Sequence, residues 1–165
     1  MNCSDIISII DIAISAGVGV WVATAIAKGQ TKERFLKDYF TNELIGIKEA
    51  CKTFFDDICY DKVGGNDIKT GFKIISMRAK AYEDNIGEVF KNVESNIHQN
   101  ITKLQIEITN SDEFNDQYRK KDGITFGATQ KAKILEERTH LLNAFSKAVI
   151  TINKATIKRS IQRGK

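Results

Sequence analysis

Proline is absent from the 165 residues, and cysteine is scarce, with three scattered copies. Proline punctuates loops and stops helices, so a chain without it favours a few long uninterrupted helices and an all-α fold. Three cysteines cannot form the even disulfide framework of a small secreted domain, which places the folded body in a reducing compartment. No phosphate-cradling glycine motif, G-x-S-x-G or H-E-x-x-H occurs, so neither an enzyme nor a bound cofactor is expected. What is present suits one modest domain: 42% apolar residues, 28% charged, and 25 basic against 21 acidic side chains for a net charge of +4. Such apolar content argues against an intrinsically disordered chain.

One long apolar run breaks the pattern. Ile6 to Ala27 (IISIIDIAISAGVGVWVATAIA) has Asp11 as its only charge, and at about 1.5 Å per residue a helix of that length crosses a hydrocarbon core roughly 30 Å thick. A cleavable signal peptide needs a basic start, whereas Met1 to Ile10 carries only Asp5. Lys28, Lys32, Arg34 and Lys37 follow the run, so the positive-inside rule sets a short N-terminus outside and the remainder in the cytoplasm. The expected division is residues 1–28 as a transmembrane or sequestered apolar helix and residues 29–165 as a cytoplasmic helical bundle. A helix buried among its partners in a soluble oligomer is the competing reading, and it includes a soluble autoinhibited state.

Within the run Asp11, Ser15, Gly19, Ala23 and Ala27 recur every four residues on one stripe, where small side chains let helix backbones approach closely. A carboxylate deep in lipid must face a partner helix or a water-filled path, and a ring of Asp11 side chains would favour cations. Near the outer interface it would merely mark the helix end, and the spacing leaves both readings open. The expected pore- or oligomer-lining set is Asp11, Ser15, Gly19 and Ala23.

The body reads as helices. Phe40, Leu44, Ile47, Cys51, Phe54 and Ile58 form a heptad-like seam, which predicts a helix from about Thr31 to Cys59. Asp61 to Asp67 supplies turn chemistry around paired glycines. Ile75, Tyr82, Ile86, Val89, Val93, Ile97, Ile101, Leu104 and Ile108 then predict a second long helix over about Ile68 to Thr109, weakened at Gly71 and Gly87. The polar stretch Asn110 to Asp122 reads as a mobile connector. Leu135, Arg138, Leu142, Phe145, Val149 and Ile152 restart the stripe in a helix from about Thr125 to Ser160. Three long antiparallel helices make an elongated bundle with wide seams, whose apolar surface a homo-oligomer would cover. Alternating directions would carry the C-terminus about 50 Å from the bilayer, away from lipid headgroups.

After Glu137 the chain holds seven basic residues and no acidic one, while the part before is net negative. Lys154, Lys158 and Arg159 would share a helix face, with Arg163 one turn on, and this set is the expected polyanion site. The alternative is a solvated helix end whose cations meet the helix dipole, since no aromatic platform follows Phe145. Glu137-x-x-His140 has the spacing of a carboxylate-bridged metal site but lacks a second copy, and Glu94 with His98 does not repeat it, so no metal is expected. Cys51 and Cys59 read as small core residues near the seam.

An acid-marked, glycine-containing single span followed by a compact helical cytoplasmic body resembles the small membrane channel effectors of bacterial anti-phage abortive-infection systems, Hailong-like effectors among them. The likeness is one of architecture and length over the whole chain, without a diagnostic motif. It implies a homo-oligomeric ion channel in the bacterial inner membrane, closed until a nucleotide-derived signal, a deoxyadenylate oligomer, binds the cytoplasmic part. It also implies a partner enzyme that makes the signal. A different class, a membrane-tethered coiled-coil scaffold that conducts nothing, fits the same pattern.

Overall fold

The computed structural model describes residues 32–120 and 122–158. Asp11, Ser15, Gly19 and Ala23, the apolar run that contains them, and Arg159 and Arg163 lie outside the described residues. The fold is all-α. Its described elements are α1 (Lys32–Cys59), α2 (Gly65–Val89), a two-residue strand β1 (Phe90–Lys91), α3 (Ile97–Thr109), α4 (Asp112–Gln117), α5 (Ala128–Lys154) and a second short strand, β2 (Thr156–Ile157). The chain divides into two units, Met1–Tyr39 and Phe40–Lys165. In the first, Lys37 pairs with Glu33 at 2.9 Å across one helical turn. The second holds a helical bundle, described next.

The α1 seam buries Phe40, Leu44, Ile47, Cys51, Phe55 and Ile58. Phe55, not Phe54, occupies the inward position. Phe54 lies between and packs edge-on against Phe72 of α2 at 5.1 Å between ring centroids. Its ring fills the space above Gly71, where any Cβ would overlap it. Thus the glycine that looked like a weak point of the helix is the site of a close α1–α2 approach. Higher up the same pair of helices, Arg78 bonds Glu43 at 3.0 Å, with both side chains partly withdrawn from water.

The second long helix of the sequence reading is in fact two, separated by residues 90–96. Phe90 caps α2 in an extended conformation, and Asn92 takes a left-handed backbone with φ of 54°, which asparagine tolerates better than most residues. The apolar spacing runs unbroken through this turn because Phe90 is buried on one side and Ile97 on the other, so periodicity alone carried no sign of the break. Ile97, Ile101, Leu104 and Ile108 then form the inward stripe of α3, each fully buried, with α2 and α5 packed on it.

Residues 110–127 are likewise more structured than a mobile connector. Ser111 caps α4 by accepting the Phe114 N–H at 3.2 Å, and Phe114, Ile124 and Phe126 enter the core. The Gln117 amide holds Thr125 from both sides, donating to its carbonyl at 2.8 Å and accepting its N–H at 3.1 Å. Just before, Gly123 lies against the Asp61 carbonyl, and Ile124 N–H donates to Val63 O at 3.1 Å, so the two loops of this end are sewn together.

The last helix ends at Lys154, short of Ser160, because the chain turns extended at Ala155 and pairs with β1, Phe90 opposite Ile157 and Lys91 opposite Thr156. Its buried stripe is Ile134, Leu141, Phe145, Ala148 and Ile152, leaving Leu135 46% exposed, so the expected stripe was displaced by one residue over its first two turns. The extra helix also reverses the direction of travel. Phe90 touches Phe40 at 5.8 Å between centroids, so β2 lies at the end where the chain enters this unit. The expected body of three long helices thus has one helix too few.

Gly123→Ala is expected to destabilise the fold by about 1–3 kcal/mol through backbone displacement at Asp61. Gly87→Ala, into open space, should stabilise it by about 0.5–1 kcal/mol. Urea unfolding of both variants checks the pair, and equal effects would remove the loop contact from the account.

Candidate functional site

Lys154 is the last residue of α5, and Lys158 lies beyond β2, so the two do not share a helix face. Lys158 is engaged elsewhere. Its backbone N–H donates to Val89 O at 3.0 Å and its ammonium to Gly87 O. These are final carbonyls of α2, which a helix leaves without partners and which carry the negative end of its dipole. β1–β2 pairing brings Lys158 there, so this cation serves as a helix cap in the way the solvated-end alternative had assigned to its own helix. Arg138, at the start of the basic stretch, is paired with Asp56 of α1 at 2.9 Å. On the same flank Lys131 holds Asp61 at 3.0 Å.

One further member of the stretch, Lys147, meets other polar groups in a groove of about 390 Å³ between α3 and α5. Gln130 donates to Glu107 O at 3.0 Å and Lys133 pairs with the Glu107 carboxylate at 3.5 Å, so the start of α5 meets the end of α3 and the helices run antiparallel. With that alignment α3 presents Asn96, Asn100 and Lys103 along one wall, and α5 presents Glu137, His140, Asn143 and Lys147 along the other. Among the described residues none of these side chains has a hydrogen-bond or ion-pair partner. Their neighbours do, as the Glu107 contacts show. The groove is therefore an open strip of donors and acceptors not used within the fold, with an ammonium toward each end.

Glu137 and His140 thus stand together, one turn apart, with amides and ammonium groups for company. Among the described residues no group of three or more His, Cys, Asp or Glu side chains could hold a metal ion. Glu83 accepts the backbone N–H of His98 at 3.2 Å, which ties α2 to the first turn of α3. Cys51 is buried in the α1 seam, and that burial pushes its thiol up to about 12, with Arg78 opposing the rise. Cys59 is raised too, by burial first, against the nearby charges of Arg138 and Lys131. Both lie where a thiolate is disfavoured.

Sequence reasoning found Lys147, Glu137 and His140 but gave them no common site, and it missed Asn96, Asn100, Lys103 and Asn143. A signal was available: Asn96, Asn100 and Lys103 recur at the helical period directly beside the Ile97, Ile101 and Leu104 stripe. It needed the break before Ile97 to be readable. Comparison with known protein families, curated proteins and solved structures finds no match to this chain. Among the described residues no helix is long and apolar enough to cross a membrane.

Two measurements follow from these environments. Cys51 ionises at 9.0 when free and near 12 when folded, and the Tyr82 phenol is also raised, chiefly by burial with Glu83 and Glu43 adding to it. Their contribution to stability is fully present below the unfolded values and lost as pH rises toward the folded ones, by about 1.4 kcal/mol per pH unit for each group. Unfolding titrations between pH 9 and 11 should show this fall, shallower in Cys51→Ala. Lys158→Gln should cost about 0.5–1.5 kcal/mol and quicken amide exchange at residues 90 and 158, whereas a merely solvated lysine would change neither.

Proposed function

We propose that the chain is an oligomeric membrane effector forming a ligand-gated ion channel that depolarises the inner membrane in anti-phage defence. One observation carries the reading: the 22-residue run Ile6 to Ala27, with a single carboxylate and a small-residue stripe, followed by an all-α body. The body adds a groove of unpaired ammonium and amide groups, the chemistry that an anionic signal from a partner enzyme needs. In this reading the spans of several copies pack through Gly19 and Ala23, Asp11 contributes to the conduction path, and ligand binding to the body biases the closed–open equilibrium. A ligand can do so only by binding one state more tightly than the other.

A non-conducting, membrane-tethered scaffold is the second reading, and a particular surface favours it. A groove of about 320 Å³ between α1 and α5 is lined by Leu44, Ile45, Phe145, Val149 and Ile150. Ile45 and Ile150 are each about half exposed there (47% and 53%). Apolar exposure of this kind suits a protein partner or another copy.

Alkaline carbonate extraction of membranes holding the full chain separates an integral protein from a released one. Planar-bilayer recording with a deoxyadenylate oligomer then tests conductance. The expected result is retention in the pellet and ligand-dependent cation current, with Gly19→Leu reducing the current at least tenfold and Asp11→Asn weakening cation preference. Retention without current under any added ligand leaves the scaffold reading, and release as a soluble species that no added ligand drives into the membrane removes the channel.

A further inference from the structure

The α3–α5 groove has a feature that a general attraction for anions does not require, which is the separation of its two lysines. Because Glu107 is level with Gln130 and Lys133, moving four residues back along α3 and four forward along α5 sets Lys103 beside the turn that holds Glu137. Lys147 is ten residues farther along α5, about 15 Å by helical rise. Flexible stems turned inward shorten the span between the ammonium groups, while Asn100, His140 and Asn143 occupy the middle. A single phosphate cannot reach both ends. Glu137 sits at the Lys103 end, where it can accept a hydrogen bond from a ligand hydroxyl and repels excess negative charge.

We propose that this groove binds a small linear bis-anion, a molecule with a phosphate-type group at each end and a hydroxyl-bearing middle. One end ion-pairs with Lys147 and the other with Lys103. The amides of Asn100 and Asn143 donate to and accept from the central hydroxyls, and a hexose bisphosphate has the required form. The volume of about 390 Å³ admits a ligand of that size. One observation separates the groove from an ordinary charged surface: its two lysines stand at opposite ends of a strip that holds Asn100, His140 and Asn143, with Glu137 beside Lys103, and do not form a cluster. The inference departs from the proposed function in the form of the ligand, a small bis-anion in place of an oligonucleotide, and rests on its view of the body as the part that receives the ligand.

The test is calorimetric titration of the detergent-solubilised full chain with fructose 1,6-bisphosphate, fructose 6-phosphate and inorganic phosphate at fixed ionic strength. The bisphosphate should bind at least tenfold more tightly than either monophosphate. Lys103→Ala and Lys147→Ala should each abolish that difference, Glu137→Gln should tighten the bisphosphate a few-fold, and Lys133→Ala should leave all three affinities unchanged. All four positions are on helix surfaces, and unchanged circular dichroism confirms that the variants fold. Equal affinity for one and two phosphates overturns the proposal, as does an equal loss in Lys133→Ala, which is what diffuse electrostatic attraction would give. Binding of long-chain polyphosphate without the hexose bisphosphate also overturns it, in favour of a polymeric ligand. Failure here leaves bilayer conductance untouched, whereas failure of the channel reading leaves selective bisphosphate binding without current, so the two are told apart.

Discussion

The burial of α3 is the constraint on which the remainder of the bundle depends. A helix of 13 residues is marginal by itself, yet Ile97, Ile101, Leu104 and Ile108 are all withdrawn from water completely. Each fully buried aliphatic side chain contributes on the order of 1.5–3 kcal/mol, and here that gain exists only if α2 and α5 close over the helix together. The turn at 90–96, the ordered loop at 110–127 and the β1–β2 pairing are what the chain must do to bring this short helix inside. The same arrangement leaves the polar flank of α3 facing α5, and the groove is that flank.

Much of the scaffold was legible in the sequence. The all-α class followed from missing prolines and helical spacing, and the end of the first helix at Cys59 was placed correctly, because its seam is long, regular and followed by a glycine-rich turn. The break before Ile97 was not legible, since the turn from Phe90 to Asn96 keeps the apolar residues in phase while the backbone does something else. The first half of the α5 stripe was misplaced by one residue because Leu135 and Leu142 compete with Ile134 and Leu141, and only the tertiary neighbours decide which of two adjacent apolar stripes turns inward.

The site was less legible for a related reason. Charge runs were read along one helix, but the polar groups that line the groove come together across two. Lys158 has the look of a free tail cation until β2 returns it to the end of α2. Conversely Lys103 is marked in the sequence only by its helical spacing from Asn96 and Asn100, and it meets Lys147 and Asn143 only through the packing of α3 on α5.

Gly71 has a consequence for uniqueness beyond the room it gives Phe54. The ring can seat only where α2 offers no side chain, and one turn away in either direction it would meet Asp67 or Ile75. The α1–α2 hairpin therefore has a key with one matching lock. Amphipathic helices slide readily past one another because apolar stripes repeat every turn, and stripes alone fix a register poorly. A single missing Cβ discriminates among those registers by excluded volume, so the alignment of this hairpin is set by shape where hydrophobicity alone would be indifferent.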